Sequence, residues 1–292
     1  SIFCALALCL GLLPATAWAA DSVTYLTWDE DRGELVEATC DSYTSCSSTM
    51  SSALGTAGQT KWYVFKGSYT QRFRIEVKGD VHLILSNNCT LTAQQGIHVP
   101  DGSSLTIYAQ SEDADVMGKL VAKPGDDYSI YRYCAVIGGN GTDTAGSITI
   151  NGGNITATGK SASNAHGAAI GTGSDPQQTE RDSTMAITIN GGIVTAKATG
   201  GAAIGTGYRT GGGTINSTSN GGGAAIGTGY TGNGGTVTIN GGTVKATSNS
   251  SGAAIGVGDS GTLGTVNITG GQITAAALCQ RKASESGAAI GC

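Results

Sequence analysis

The stretch that decides the fold is Gly167-Ala168-Ala169-Ile170-Gly171-Thr172-Gly173. Near-copies begin at Gly201, Gly223, Gly252 and Gly287, and a degenerate copy stands at Cys134-Ala135-Val136-Ile137-Gly138-Gly139. Their isoleucines, Ile137, Ile170, Ile204, Ile226, Ile255 and Ile290, are spaced by 33, 34, 22, 29 and 35 residues. A period of this size marks a solenoid, in which one unit cannot bury an apolar face alone and must stack on its neighbours.

Between the copies lie two further strand signals. The first is Ser147-Ile148-Thr149-Ile150, matched by strands at Ile187, Val237 and Val266. Alternation puts Ile148 and Ile150 inside and Thr149, Thr188, Thr238 and Asn267 outside. A corner follows at Asn151-Gly152-Gly153, Asn190-Gly191-Gly192, Asn240-Gly241-Gly242 and Thr269-Gly270-Gly271, where Asn and Gly, which tolerate positive φ, allow a sharp bend. The second signal, Ile155-Thr156-Ala157-Thr158, recurs at Val194, Val244 and Ile273.

Three short strands per unit, stacked at about 4.8 Å, predict an all-β fold: a right-handed parallel β-helix of roughly triangular section with an N-terminal β cap. The hand follows from the general preference for right-handed parallel crossovers. Between Ile204 and Ile226 only Gly213-Thr214-Ile215-Asn216 survives of the pattern, which predicts a coil that lacks one side or is pinched.

Upstream, residues 62–125 alternate at Trp62-Tyr63-Val64-Phe65, Phe73-Arg74-Ile75-Glu76-Val77, Val81-His82-Leu83-Ile84-Leu85 and Leu105-Thr106-Ile107-Tyr108, and are expected to form the cap and first irregular coils. Residues 20–61 read as a polar lead-in, irregular or partly disordered, and residues 126–292 as the Gly-rich repeats, cut short at the C-terminus. Residues 1–19 read as a signal peptide: an apolar run from Ile2 to Leu13, then Pro14 and Ala17-Trp18-Ala19. Without Met or a basic start it is expected to be truncated. The run is too short to span a bilayer, so the expectation is a secreted or cell-surface protein with no membrane insertion after signal removal.

Composition agrees. Gly accounts for 48 of 292 residues, charged residues for 13 % and hydrophobic ones for 39 %, which suits tight turns joined by short strands. A net charge of −5 without a Lys/Arg stripe speaks against a nucleic-acid partner. Beyond the signal, Cys40, Cys46, Cys89, Cys134, Cys279 and Cys292 permit disulfides, and Cys40 with Cys46 is the candidate pair closing a small loop. His82, His98 and His166 are too scattered for a zinc site.

The succession Val81-His82-Leu83-Ile84-Leu85, Cys89-Thr90-Leu91, Gly96-Ile97-His98-Val99 and Ser104-Leu105-Thr106-Ile107-Tyr108, followed by the Ile-Thr-Ile-Asn-Gly-Gly and Gly-Ala-Ala-Ile-Gly repeats, resembles the glycine-rich β-helical region of large secreted or wall-attached proteins of Gram-positive gut bacteria. The resemblance covers residues 62–292. It implies an adhesive or carbohydrate-binding role with a glycan, host or cell-surface ligand, and it supplies no catalytic residues.

β-Helices also serve polysaccharide lyases and hydrolases, which need carboxylates gathered on one face. The repeat strands carry almost no acids, so no enzyme activity and no cofactor are expected. Glu112-Asp113-Ala114-Asp115, with Asp126-Asp127, leaves two readings: a weak calcium site through Asp113 and Asp115, or solvated turns. For binding, Tyr208 and Tyr230 each follow Gly-Thr-Gly, and stacked coils would set them on one side beside Arg209, suited to sugar rings. The alternative is that the two tyrosines cover a Gly-rich corner. The expected function is adhesion or carbohydrate binding; an inert structural stalk is second and a polysaccharide-degrading enzyme third.

Overall fold

Alternating apolar and small polar residues build three parallel ladders. In the computed structural model the described residues are 21–125, 133–141, 145–159, 167–173, 185–198, 201–205, 208–210, 214–219, 224–228, 236–249, 251–258, 265–278 and 287–291. The first ladder runs through Ile75–Leu85, Ser104–Ala109, Ser147–Ile150, Ile187–Ile189, Tyr208–Thr210, Thr236–Ile239 and Thr265–Ile268. The second runs through Ser68–Gln71, Thr90–Ala93, Lys119–Ala122, Asn154–Thr158, Ile193–Ala198, Thr214–Ser219, Thr243–Ser248 and Gln272–Ala277. The third joins Ile97–His98, Ile137–Gly138, Ile170–Gly171, Ile204–Gly205, Ile226–Gly227, Ile255–Gly256 and Ile290–Gly291. The strand Ile75–Leu85 belongs to two ladders, its residues 75–76 pairing with Ile97–His98 and its residues 80–85 with Ser104–Ala109. The chain is a parallel β-helix solenoid.

The core is a set of columns. Leu91, Leu120, Ile155, Val194, Ile215 and Val244 stand in register and buried on the second ladder. Ile137, Ile170, Ile204, Ile226 and Ile255 do so on the third. Each such side chain contributes roughly 1.5–3 kcal/mol by leaving water. At Gly138, Gly227 and Gly256 the glycine after the third-ladder isoleucine is dictated by stacking, while Gly205 has room for a Cβ. Gly227 has φ +136°, and a Cβ there would sit 1.9 Å from the Gly256 carbonyl oxygen of the next coil.

At the corner, positive φ falls on the second glycine alone: 100° at Gly153 and 79° at Gly192 and Gly242. The asparagines are not used for backbone freedom there, since the only described non-glycine with positive φ is Asn88. Asn151 and Asn190 are instead buried.

Two expectations are corrected. The coil between Ile204 and Ile226 keeps all its sides, because Tyr208–Thr210 pairs with Ile187–Ile189 and with 237–239. What is shortened is the connection, residues 206–207 where the preceding coil has 172–186. The first coils expected within residues 62–125 are present and already in register with the repeats. The lead-in carries regular strands over its described residues, 21–61: Val23–Asp29 and Glu34–Cys40 form an antiparallel hairpin, and Thr44–Cys46 joins the end of Ala53–Phe65. The hairpin holds although it is polar, because Val23 and Cys40 pack with Val64, Ile84 and Tyr108 on the outer side of the first coils. Among the described residues no helix is long and apolar enough to cross a membrane.

Candidate functional site

Outward positions of the second ladder form the most regular surface. Alternation from the buried column leaves Thr70, Thr92, Val121, Thr156, Thr195, Asn216, Lys245 and Thr274 in one continuous row. β-Branched threonine suits a pleated, half-buried surface, and Thr156 and Thr195 are indeed half-buried. Flanking rows pass through Lys119 and Asn154, and through Thr158, Lys197, Thr218 and Thr247. The lysines of these rows are exposed. Chemically the face offers hydroxyls, amides and ammonium groups at a fixed pitch.

A second arrangement lies on the outer side of the first ladder near the hairpin. Asp80 and His82 sit two apart on one strand and therefore on one face. His82 Nε2 is 2.9 Å from Asp80 Oδ2, and its Nδ1 is 2.7 Å from the Tyr108 hydroxyl. Ser104 and Thr60 donate their hydroxyls to the same carboxylate. Burial pushes the Asp80 carboxyl up, but the hydrogen bonds from Ser104, His82 and Thr60 and the attraction of His82 outweigh it and hold it below the usual carboxylate range. Burial, with the nearby Tyr25, raises the Tyr108 hydroxyl above its ordinary value. Trp62 stacks on His82 at 4.1 Å, and Tyr25 of the hairpin meets Trp62 at 5.2 Å and Tyr108 at 4.8 Å. Both His82 nitrogens thus face protein groups and Tyr108 is only 5 % exposed, so the chain of polar groups fastens the hairpin to the solenoid more readily than it meets a substrate. On the third ladder, His98 Nδ1 lies 2.8 Å from Glu76 Oε2.

Of the residues singled out from sequence, Tyr208 and Arg209 share one strand, and Asp113 and Asp115 belong to a separate turn. Tyr208 stands in the backbone row of Ile187 and Val237, both buried, and Arg209 in the outward row of Thr188 and Thr238. Tyr208 therefore opens a first-ladder strand, and Tyr230 lies outside the described residues. Asp113 and Asp115 occupy one exposed turn, where Asp113 Oδ1 accepts the Asp115 N–H at 3.0 Å. Asp126 and Asp127 lie outside the described residues, and among those described no group of three or more His, Cys, Asp or Glu is placed to hold a metal ion. The expected Cys40–Cys46 disulfide is overturned: both are free thiols, Cys40 packed under the hairpin and Cys46 in the main core. The turn holds them in different apolar clusters, where each sulfur contacts a nearby backbone carbonyl, Ser42 and Thr44 respectively.

A family model described as a Beta helix repeat matches residues 148–174, 187–208, 237–258 and 266–292. Each match begins at an inward first-ladder residue, Ile148, Ile187, Val237 or Val266. The shortened coil is left unmatched. No curated protein and no solved structure matches the chain.

Sequence reasoning missed two features. The Asp80–His82 pair was signalled by its two-residue spacing within an alternating strand. The three lysines of the second-ladder face, one in each of three rows, come together only when the strands are written in register, because coil lengths vary.

Proposed function

We propose that this chain is an exported bacterial surface solenoid that binds carbohydrate along the outward face of its second ladder, without enzymatic activity. The observation that carries this reading is the register of that face. Thr70, Thr92, Thr156, Thr195, Asn216, Lys245 and Thr274 fall in one row broken only by Val121, so from Thr156 to Thr274 polar groups recur at about 4.8 Å. A polymer of hydroxyl-bearing units meets the same chemistry at successive steps, and many weak contacts along one chain reinforce one another through effective concentration. The apolar run before Ala17-Trp18-Ala19 supports export.

A glycan array probed with the full chain, followed by titration of its hits with a Thr156→Glu/Thr195→Glu variant, tests the reading. Binding that weakens tenfold or more in the variant is the expected result. An array without hits would reduce the chain to a structural stalk, and release of reducing or unsaturated sugar from a bound glycan would make it an enzyme.

A further inference from the structure

The same face segregates charge. The chain has a net charge of −5, yet the strands of the second ladder carry Lys119, Lys197 and Lys245 and neither Asp nor Glu. The acids on described strands, Asp29, Glu34, Glu37, Glu76 and Asp80, belong to the hairpin and to the strand shared by the other two ladders. The three lysines are exposed and occupy Lys119–Ala122, Ile193–Ala198 and Thr243–Ser248, every second strand of the ladder. Lys197 and Lys245 stand four and two register positions to the side of Lys119, so successive cations, two strands apart along the solenoid axis, zigzag at about 12–17 Å. Their register neighbours on the strands between them are Asn154, Thr158 and Asn216, so amide and hydroxyl positions fill the intervals.

The spacing selects the partner. Duplex nucleic acid carries a charge about every 1.7 Å and is held by dense basic surfaces, whereas one ammonium in about 12–17 Å suits a polymer whose charges are separated by uncharged, hydroxyl-rich units. Lysine acts as a hydrated point charge without a bidentate demand, which fits carboxylates presented on a flexible chain. Building on the carbohydrate-binding reading, we infer that this face binds a linear acidic polysaccharide, its carboxylates opposite Lys119, Lys197 and Lys245 and its hydroxyls opposite the threonines and asparagines between them.

Hyaluronan and alginate, each with its carboxyl-reduced form, are the probes, titrated against the full chain at about 0.1 M and about 1 M salt, where charges are felt over about 10 Å and about 3 Å respectively. At the lower salt at least one acidic polymer is expected to bind, at least fivefold more tightly than its reduced form, with the preference lost at the higher salt. A Lys119→Gln/Lys197→Gln/Lys245→Gln variant should bind at least tenfold more weakly. The corresponding triple Lys→Arg variant, and a control with Gln at the exposed Lys61, Lys66 and Lys78, should stay within twofold of the parent. Equal binding of the reduced polymers, or an unaffected Lys→Gln variant, overturns the acidic-ligand inference and leaves carbohydrate binding standing. Binding of array glycans but of neither acidic polymer does the same, and binding of no glycan at all overturns both.

Discussion

Asn190 donates its side-chain N–H to Asn151 Oδ1 at 2.9 Å, and both residues are buried, 7 % and 4 % exposed. The bond joins the same corner of successive coils in a place that water does not reach. Asn190→Ala leaves the Asn151 oxygen without this donor, at a cost of roughly 1–3 kcal/mol. The equivalent bond from Thr269 Oγ1 to Asn240 Oδ1, also 2.9 Å, is exposed, so Asn240→Ala should cost about 0.5 kcal/mol or less. Urea midpoints of the two variants check this, and equal shifts would show that burial is not what makes the corner bond matter.

The inner and outer faces make opposite demands on charge. Ile204 is fully buried between Ile170 and Ile226 in the third-ladder column. Ile204→Asp loses the apolar contacts, roughly 2–5 kcal/mol, and adds the penalty of an unpaired buried carboxylate, several kcal/mol more. Thr188, paired with Thr149 and Arg209 in an outward row, should tolerate Asp within roughly 0.5 kcal/mol. Limited proteolysis distinguishes them: Thr188→Asp keeps the parent's resistance and Ile204→Asp loses it, whereas equal resistance would invert the face assignment.

Whether a feature could be read from sequence follows how local its cause is. The isoleucine columns were legible because alternation within a strand and repetition between coils both mark Ile148, Ile187 and Val237 as inward. The hairpin was not, because its apolar content is small and the surface that buries Val23 and Cys40 comes from Val64, Ile84 and Tyr108, far along the chain. The strand at Tyr208–Thr210 was not legible because a first-ladder strand spelled Tyr-Arg-Thr lacks the Ile-Thr-Ile signature, and only pairing with Ile187–Ile189 reveals it. The lysine face was hidden for a related reason: Lys119, Lys197 and Lys245 are separated by unequal lengths of chain and fall into order only through the ladder.

Glycine is required for different reasons at different positions. Gly227 combines φ +136° with a would-be Cβ 1.9 Å from the Gly256 oxygen, while Gly102, at φ +73°, has nothing within 4 Å of its would-be Cβ. Gly102→Ala should cost about 1 kcal/mol from backbone conformation alone. Gly227→Ala must also push successive coils apart, breaking backbone pairing such as Thr228 N–H to Gly256 O at 3.0 Å, and should exceed roughly 3 kcal/mol. Thermal unfolding midpoints measure the difference. A Gly227→Ala variant as stable as Gly102→Ala would mean that the stacking distance adjusts freely.

Alkaline pH should loosen the solenoid through Cys89. This free thiol is buried in the core, 1 % exposed, and burial pushes it from 9.0 up to about 11. A raised acid is kept protonated by the fold, so its stabilising contribution is fully present below pH 9.0, where the unfolded thiol is still protonated, and is lost as pH rises towards about 11. The expected loss over that window is about 1–2 kcal/mol from this group. Burial raises Cys46 as well, which adds to the slope with the same sign. In urea titrations under reducing conditions, the parent should weaken steadily between about pH 9 and pH 11. Cys89→Ala should start less stable at neutral pH, having lost a buried sulfur, but decline less steeply across the same window. An identical slope in the two proteins would assign the alkaline weakening to other groups and remove Cys89 from it.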